Sequence, residues 1–285
     1  MPYIIENTML FENEQIQYCN LVVKNDKIYS RDVPVRKMKF IRLNMDKHLI
    51  MATGGMVGSL EQWKKEGLEY AKSLVMLGVT TVVFPVDVLY DYQLKANFQS
   101  ARAELSSFPL DYVLVLRIPL SLLKPKLIRM CRLLYIPACI VVFDKESKLR
   151  DVSWSGIREV SFPYKLAFIP QCEDDVQLKE WREQLEDGLI PYYDSSLPEN
   201  THIPMNLMRK IGIYPHKGIL RSGGEVSYNV LKECDKEYLM NQEQTYYDKI
   251  EYTVFKNKVI RMGQDVSLAE IVGEELVIKV PGFFQ

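Results

Sequence analysis

Between about residue 50 and residue 205, short apolar runs alternate with amphipathic segments, and this change of period constrains the fold more than any single residue does. The runs are Val79 to Pro85, Tyr112 to Ile118, Ala138 to Phe143, Tyr164 to Ile169 and Leu189 to Tyr192. Helices are predicted near Tyr90 to Leu105, Leu120 to Leu134, Asp174 to Leu185 and Met205 to Ile211. Near-continuous apolar strands are buried on both faces, and with helical connections they form a parallel sheet or barrel. Residues 1 to 50 read differently. Tyr3-Ile4-Ile5, Leu21-Val22-Val23 and Met38 to Leu43 are separated by Asn, Asp and Ser turns, which predicts short antiparallel strands. Short strands return after about residue 210.

At 285 residues and 47% hydrophobic the chain can bury one large core or two modest ones. Lys and Arg total 36 against 37 for Asp and Glu, so no net field favours nucleic acid or anionic lipid, and neither is expected as a partner. The start lacks a basic region followed by an apolar stretch, and no long apolar run occurs; a cytoplasmic protein is expected. Cys19, Cys131, Cys139, Cys172 and Cys234 are widely spaced and odd in number, which argues against a disulfide framework or structural zinc. Cys139, inside IPACIVVF, reads as core.

The run LIMATGGMVGSLEQWKKEGLEYAKSLVMLGVTTVVFPVDV from Leu49 has a Gly54-Gly55 turn, a helix from about Glu61 to Leu77 and a Gly78-Val79-Thr80-Thr81 strand. Near the start, LVVKNDKIYS carries Asn25-Asp26-Lys27 at a turn. Later come Lys217-Gly218-Ile219, the stretch Gly223 to Val230, and the hairpin Tyr252 to Ile260 with Asn257 at its turn. In this order the segments resemble the cyclic amidohydrolases, the dihydroorotase, hydantoinase and allantoinase group. Asp26 and Asn257 stand where that family has Gly, and both tolerate a left-handed backbone. The resemblance implies an α/β fold: a truncated TIM-like (β/α) barrel over 51–209 beside a small β-sandwich formed by the N- and C-terminal segments, 1–50 and 210–285. A complete barrel needs about 200 to 250 residues. The space available holds five or six strand-helix units of roughly 25 to 30 residues each, so part of the barrel is expected to be missing, most of it after Phe143.

Family hydrolases hold one or two metals on a His-x-His pair, further histidines, an aspartate and often a bridging lysine. Here the pair is replaced by Ser59-Leu60-Glu61, and the chain has three histidines in all, His48, His202 and His216. Ile140 stands where the lysine is expected, and Lys145 lies five residues on, pointing to the opposite face of a strand. No metal site and no cofactor are expected. Ser59, Glu61, Asp87, Arg117 and Asp144 are candidates for a polar pocket, because they fall at or just past the C-terminal ends of predicted strands, the face where such barrels bind ligands. Glu61, Asp87, Asp144 and His202 are the catalytic candidates, and His202 has Asp194 and Glu199 near it in sequence. For each, capping or simple solvation is the competing reading. His48 reads as a strand-end residue, and His216, after Tyr214-Pro215, as a packing or capping one.

Two classes of function fit. One is an amidohydrolase-like protein without catalysis, acting in binding or assembly as a homo-oligomer or with a protein partner. The aromatic cluster Tyr246-Tyr247, Tyr252 and Phe255 and the tail Phe283-Phe284-Gln285 supply apolar surface for such contacts. The other is a hydrolase of a small amide or cyclic amide with a rebuilt carboxylate site, either metal-free or with one divalent metal such as zinc. A small-molecule sensor that keeps the pocket without turnover is a third reading.

Overall fold

The computed structural model describes residues 1–31, 33–144, 148–232 and 246–282. Lys145, Cys234, the side chain of Tyr246 and the tail Phe283-Phe284-Gln285 lie outside the described residues. The strands, in chain order, are β1 (Tyr3–Glu12), β2 (Gln15–Lys24), β3 (Lys27–Arg31), β4 (Ile41–Asn44), β5 (His48–Ala52), β6 (Gly54–Val57), β7 (Val79–Asp87), β8 (Asp111–Pro119), β9 (Ala138–Val142), β10 (Ala167–Gln171), β11 (Tyr228–Lys232), β12 (Ile250–Phe255), β13 (Lys258–Met262) and β14 (Asp265–Val266). The α-helices are α1 (Leu60–Glu66), α2 (Leu68–Met76), α3 (Leu94–Glu104), α4 (Pro125–Leu133), α5 (Trp154–Ser161), α6 (Asp175–Asp187) and α7 (Met205–Ile211). They fall into two compact units. One comprises Met1–Gly54, Leu68–Thr80 and His216–Glu270; the other comprises Gly55–Gly67, Thr81–Pro215 and Ile271–Gln285.

The first unit is built on one sheet in the order β14-β13-β12-β11-β5-β1-β2-β3, with β4 on β1. Its hairpins turn on residue pairs with a left-handed backbone: Asn13 and Glu14 (φ 48° and 61°), Asn25 and Asp26 (52° and 56°), and Lys256 and Asn257 (48° and 63°). Two-residue hairpins of this kind need positive φ at both positions, which Asn and Asp adopt at small cost. Two of the turns are tied together: Asn257 Nδ2 donates to Asp26 Oδ1 at 2.7 Å, and Tyr3 Oη donates to Asn257 Oδ1 at 2.6 Å. The sheet also closes on itself, because Ile28 N donates to Gly224 O and Gly223 N to Ile28 O. The enclosed core takes Ile5, Leu21 and Ile28 from one flank and Tyr228, Val230 and Val254 from the other. The strands are not all antiparallel as the pattern predicts. β4 and β5 both run parallel to β1, beside its first and second halves. Residues 33–40 lead to the start of β4, and alternation reports burial, not strand direction.

The second unit is a sheet in the order β10-β9-β8-β7-β6, parallel at β7/β8, β8/β9 and β9/β10. Residues 190–203 cover both of its ends. Tyr192 bridges to Phe168 in parallel beside β10, and His202 bridges to Met56 in antiparallel beside β6. Pro85 has no N–H to give, and it falls past the last bond from the β6 side, Gly58 N to Val83 O at 2.9 Å. The helix predicted from Glu61 to Leu77 is two helices. Gly67, at φ 57° and ψ −128°, stops α1, and α2 is grouped with the first unit. A residue with a Cβ disfavours that conformation, so a glycine inside the helical pattern acts here as a stop. Helix α5, between β9 and β10, is an element that the sequence pattern leaves unassigned. No helix among the described residues is long and apolar enough to cross a membrane.

Candidate functional site

Strand alternation decides which side chains face the barrel interior. Val57 of β6, Val83 of β7, Val113 and Val115 of β8, Ala138 and Ile140 of β9, and Ala167 and Ile169 of β10 share one buried cluster. Into the same cluster project Leu197 and Ile203 from the returning segment and Leu207, Met208 and Ile211 from α7, with Leu276 packed against it. The interior is therefore a close-packed apolar core. Ile140, at the position expected for a bridging lysine, is 1% exposed within it.

On β7 and β8 polar side chains follow this apolar layer at the strand ends. The pairing Asp87↔Arg117 is the last between β7 and β8, and both residues keep the inward parity of Val83 and Val115. Arg117 Nε and Nη2 each donate to one oxygen of Asp87 at 2.6 Å, and Nη1 donates to Glu199 Oε1 at 2.8 Å. The bidentate pair to Asp87, ahead of the bond to Glu199, holds the guanidinium firmly protonated against the opposing effect of partial burial. Glu199 reaches this position through a tight turn. Thr201 Oγ1 donates to Pro198 O at 2.6 Å, Asn200 sits at φ 60°, and Asn200 N donates to Val57 O at 2.8 Å. The rim thus gathers one cation and two carboxylates.

The other candidates lie elsewhere. Ser59 is buried at the N-terminus of α1, and Glu61 is exposed in its first turn. Asp144 is exposed past β9, where its backbone carbonyl accepts from Gln177 Nε2 at 3.2 Å. His202 pairs with Met56, and the neighbours Ile203 and Val57 both point into the barrel, so His202 points out of it. Burial lowers its pKa to about 4, which keeps the imidazole neutral. His48 Nε2 lies 3.5 Å from Glu251 at the start of β5. His216 is held below its ordinary pKa by burial, then by Arg221 and Lys217.

A metal centre needs several converging donors. Among the described residues no group of three His, Cys, Asp or Glu side chains is placed to hold an ion. At the rim, the oxygens of Asp87 and Glu199 face a guanidinium, which takes the place a divalent cation would need. These residues do not fit the metal site that the cyclic-amidohydrolase pattern implies.

Neither a protein-family model nor a curated protein matches the chain by sequence. Solved structures do match by shape. Dihydropyrimidinase from Brevibacillus agri NCHU1002 superposes with a TM-score of 0.64 over 100% of both chains at 8% identity. D-hydantoinase from Bacillus sp. AR9 gives 0.66 over 98% of this chain and 99% of its own at 6% identity. The chain has the hydantoinase fold. A triazine hydrolase variant shares it at a TM-score of 0.53 and 8% identity, over 94% of this chain and 96% of its own. The cyclic-amidohydrolase layout read from the order of the glycines, hairpins and strands is the layout of this fold. Its barrel interior here is filled with aliphatic side chains.

Proposed function

We propose that this hydantoinase-like chain is a binding or assembly protein that neither holds a catalytic metal nor hydrolyses an amide. The observation that carries the reading is the packed barrel interior. Val115, Ile140, Ile169, Leu197 and Ile203 occupy the space in which a substrate would sit, and the carboxylates above them are bonded to Arg117. Hydrolysis at a metal needs an open coordination position and a cavity for the reacting group. A homo-oligomer or a protein partner is the corresponding mode of action, in the cytoplasm, where the free thiols of Cys19, Cys131, Cys139 and Cys172 stay reduced.

The rim favours one alternative. A small ligand carrying a carboxylate could displace Asp87 or Glu199 from Arg117, which would make the chain a sensor, or with added acid-base chemistry a hydrolase of a small amide. Elemental mass spectrometry of the purified protein, before and after incubation with zinc and manganese, tests the main reading together with turnover of a panel of cyclic amides. The expected result is less than about a tenth of an equivalent of metal and no turnover. A stoichiometric, chelator-sensitive metal, or hydrolysis that disappears in Asp87→Asn, would overturn it.

A further inference from the structure

Helices α5 and α6 of the barrel unit leave an open cleft of about 430 Å³ between them, and no residue of the Asp87, Arg117 and Glu199 rim lines it. Small-ligand sites usually measure about 300 to 1,000 Å³, so the cleft has room for one small molecule. Trp154, Ser155, Arg158 and Glu159 of α5 form one wall; Gln184 and Asp187 of α6, with Gly188 just past its end, form the other. Side chains three and four residues apart are neighbours on a helix surface, so each wall is a single patch: Trp154 with Arg158 and Ser155 with Glu159 on α5, Gln184 with Asp187 on α6.

The indole is held in place. Trp154 is 8% exposed, its Nε1 donates to Leu149 O at 3.1 Å, and its ring meets that of Trp181 edge-on with centroids 5.9 Å apart. The charged groups of the cleft are exposed, and among the described residues Arg158, Glu159 and Asp187 make no ion pair. Other charges on and beside α6 are engaged: Arg150 with Glu180 at 3.2 Å, Lys179 with Glu183 at 3.9 Å, and Arg182 Nη2 with Asp194 O at 3.1 Å. Helix α6 also ends on Glu186 and Asp187 with no basic residue in its last turn. A helix C-terminus carries partial negative charge, so carboxylates there are unfavourable until a cation joins them.

We propose that this cleft binds a free basic amino acid of the lysine or arginine class. The walls supply one cation and two carboxylates, and such a ligand supplies the complement, one carboxylate and two cations. Arg158 and Glu159 are consecutive on α5 and match the carboxylate and ammonium carried on one carbon of the ligand; the guanidinium can take that carboxylate in a bidentate pair. Asp187, across the cleft at the negative end of α6, matches the distal cation, and the aliphatic stem between them lies against Trp154. A simple anion would leave both carboxylates unmatched, and a diamine would leave Arg158 unmatched. The site lies outside the barrel mouth and does not depend on the assembly reading above.

Titration of the whole chain with L-lysine, followed by NMR at the Trp154 indole N–H and the Gly188 amide with ionic strength held constant, tests this. Ion pairs open to water are individually weak, so saturation is expected with a Kd of about 0.1 to 10 mM. L-Norleucine, which lacks the distal cation, and cadaverine, which lacks the carboxylate, are expected to bind about fivefold or more weaker. Nα-Acetyl-L-lysine methylamide stands for a lysine within a polypeptide and is expected to be weaker by a similar factor. Asp187→Asn and Arg158→Gln, both at exposed positions, should each weaken L-lysine about fivefold or more, and Ser155→Phe should abolish its binding by filling the cleft. Without ligand, Asp187→Asn should melt no lower than the wild type, since it removes a carboxylate from a helix C-terminus; a merely structural Asp187 would show the reverse. No saturable shift up to about 50 mM L-lysine, or variants that bind it as the wild type does, would overturn the proposal. So would equal affinity for the blocked lysine, which would assign the cleft to a side chain of a protein partner. Metal content and turnover, which decide the preceding reading, are not read in this experiment, so the two can fail separately.

Discussion

The two units bury polar groups in opposite ways. In the first, Lys217 is almost sealed, with Nζ 2.7 Å from both oxygens of Glu225 and 5.4 Å from the centre of the Phe255 ring, and Ser227 Oγ also bonds Glu225. Arg261, 2% exposed, donates to the carbonyls of Gly263, Met76 and Tyr247. The barrel unit buries one charged type among its described residues, Asp111, which accepts from Glu274 N at 2.8 Å to anchor residues 273–276. Its other sealed titratable groups are kept neutral by burial, with Cys131 pushed up to about 12. The barrel unit therefore buries little charge among its described residues, and the more deeply buried charged networks lie in the sheet of the other unit. Catalytic groups with perturbed pKa values cluster in clefts. Here the buried charges lie in a β-sheet core.

This contrast can be broken most sharply inside the barrel. Ile140→Ala is expected to cost about 4 kcal/mol in urea unfolding, because the residue is surrounded by strands that cannot collapse onto the void. A cost below about 1 kcal/mol would mean that the interior is loosely packed and open to a ligand. In the sheet, Lys217→Met leaves Glu225 without its cation and is expected to cost about 3 kcal/mol. Adding Glu225→Gln should recover most of that loss, since the pair serves packing and register more than net stability.

The pH dependence sharpens the same point. The folded-state pKa of His202, about 4, lies below its unfolded value of about 6.5. The unfolded chain therefore takes up a proton that the folded chain refuses. Stability from this group is fully present above about pH 6.5 and falls as the pH drops towards 4, by up to about 3 kcal/mol. In His202→Gln that acid slope should largely vanish. A slope that persists unchanged would place the loss on other groups and weaken the picture of a neutral, buried imidazole.

What was legible in the sequence follows the range of the interactions. Helix α7 falls at Met205–Ile211, where its apolar spacing predicts it, and β7 and β8 start and stop within two residues of their apolar runs. The Asn-Asp and Lys-Asn turns have the left-handed backbone that their side chains tolerate. These are local effects. Helix α5 is not evident from the sequence: Trp154, Ile157 and Val160 face the core, but Ser153, Ser155 and Gly156 among them are weak helix formers. At the rim, Asp87 and Arg117 could be placed because each ends an apolar strand. Glu199 could not, since residues 194–203 return to β6 through contacts with residues more than a hundred positions earlier. The Pro198 to Thr201 turn was a signal that the chain reverses there, but it does not say against which strand.

A milder test of the sheet uses one of those turns. Glu14 holds φ 61° with an exposed side chain between β1 and β2, so Glu14→Gly removes a steric penalty without removing a packed group. It is expected to stabilise by about 0.5 to 1 kcal/mol, read as a rise in the urea midpoint at constant slope. A loss of stability would mean that the Glu14 side chain makes a contact outweighing its backbone strain.

A comparably small effect, of opposite sign, is expected at the rim, where the chemistry resembles that of the Lys217 pair and the surroundings differ. The side chain of Arg117 is 21% exposed, but those of Asp87 and Glu199 are 60% and 35% exposed. Water can take over both carboxylates when the guanidinium is removed, so Arg117→Ala should cost only about 0.5 to 1 kcal/mol despite three short hydrogen bonds. A double-mutant cycle with Asp87→Ala isolates the pair, and raising the salt should shrink its coupling energy. A cost near that of Lys217→Met would mean that the rim is closed to solvent. Asp87, Arg117 and Glu199 would then form a dry, preorganised polar site, and the case for a ligand at the barrel mouth would gain what the case for pure assembly lost.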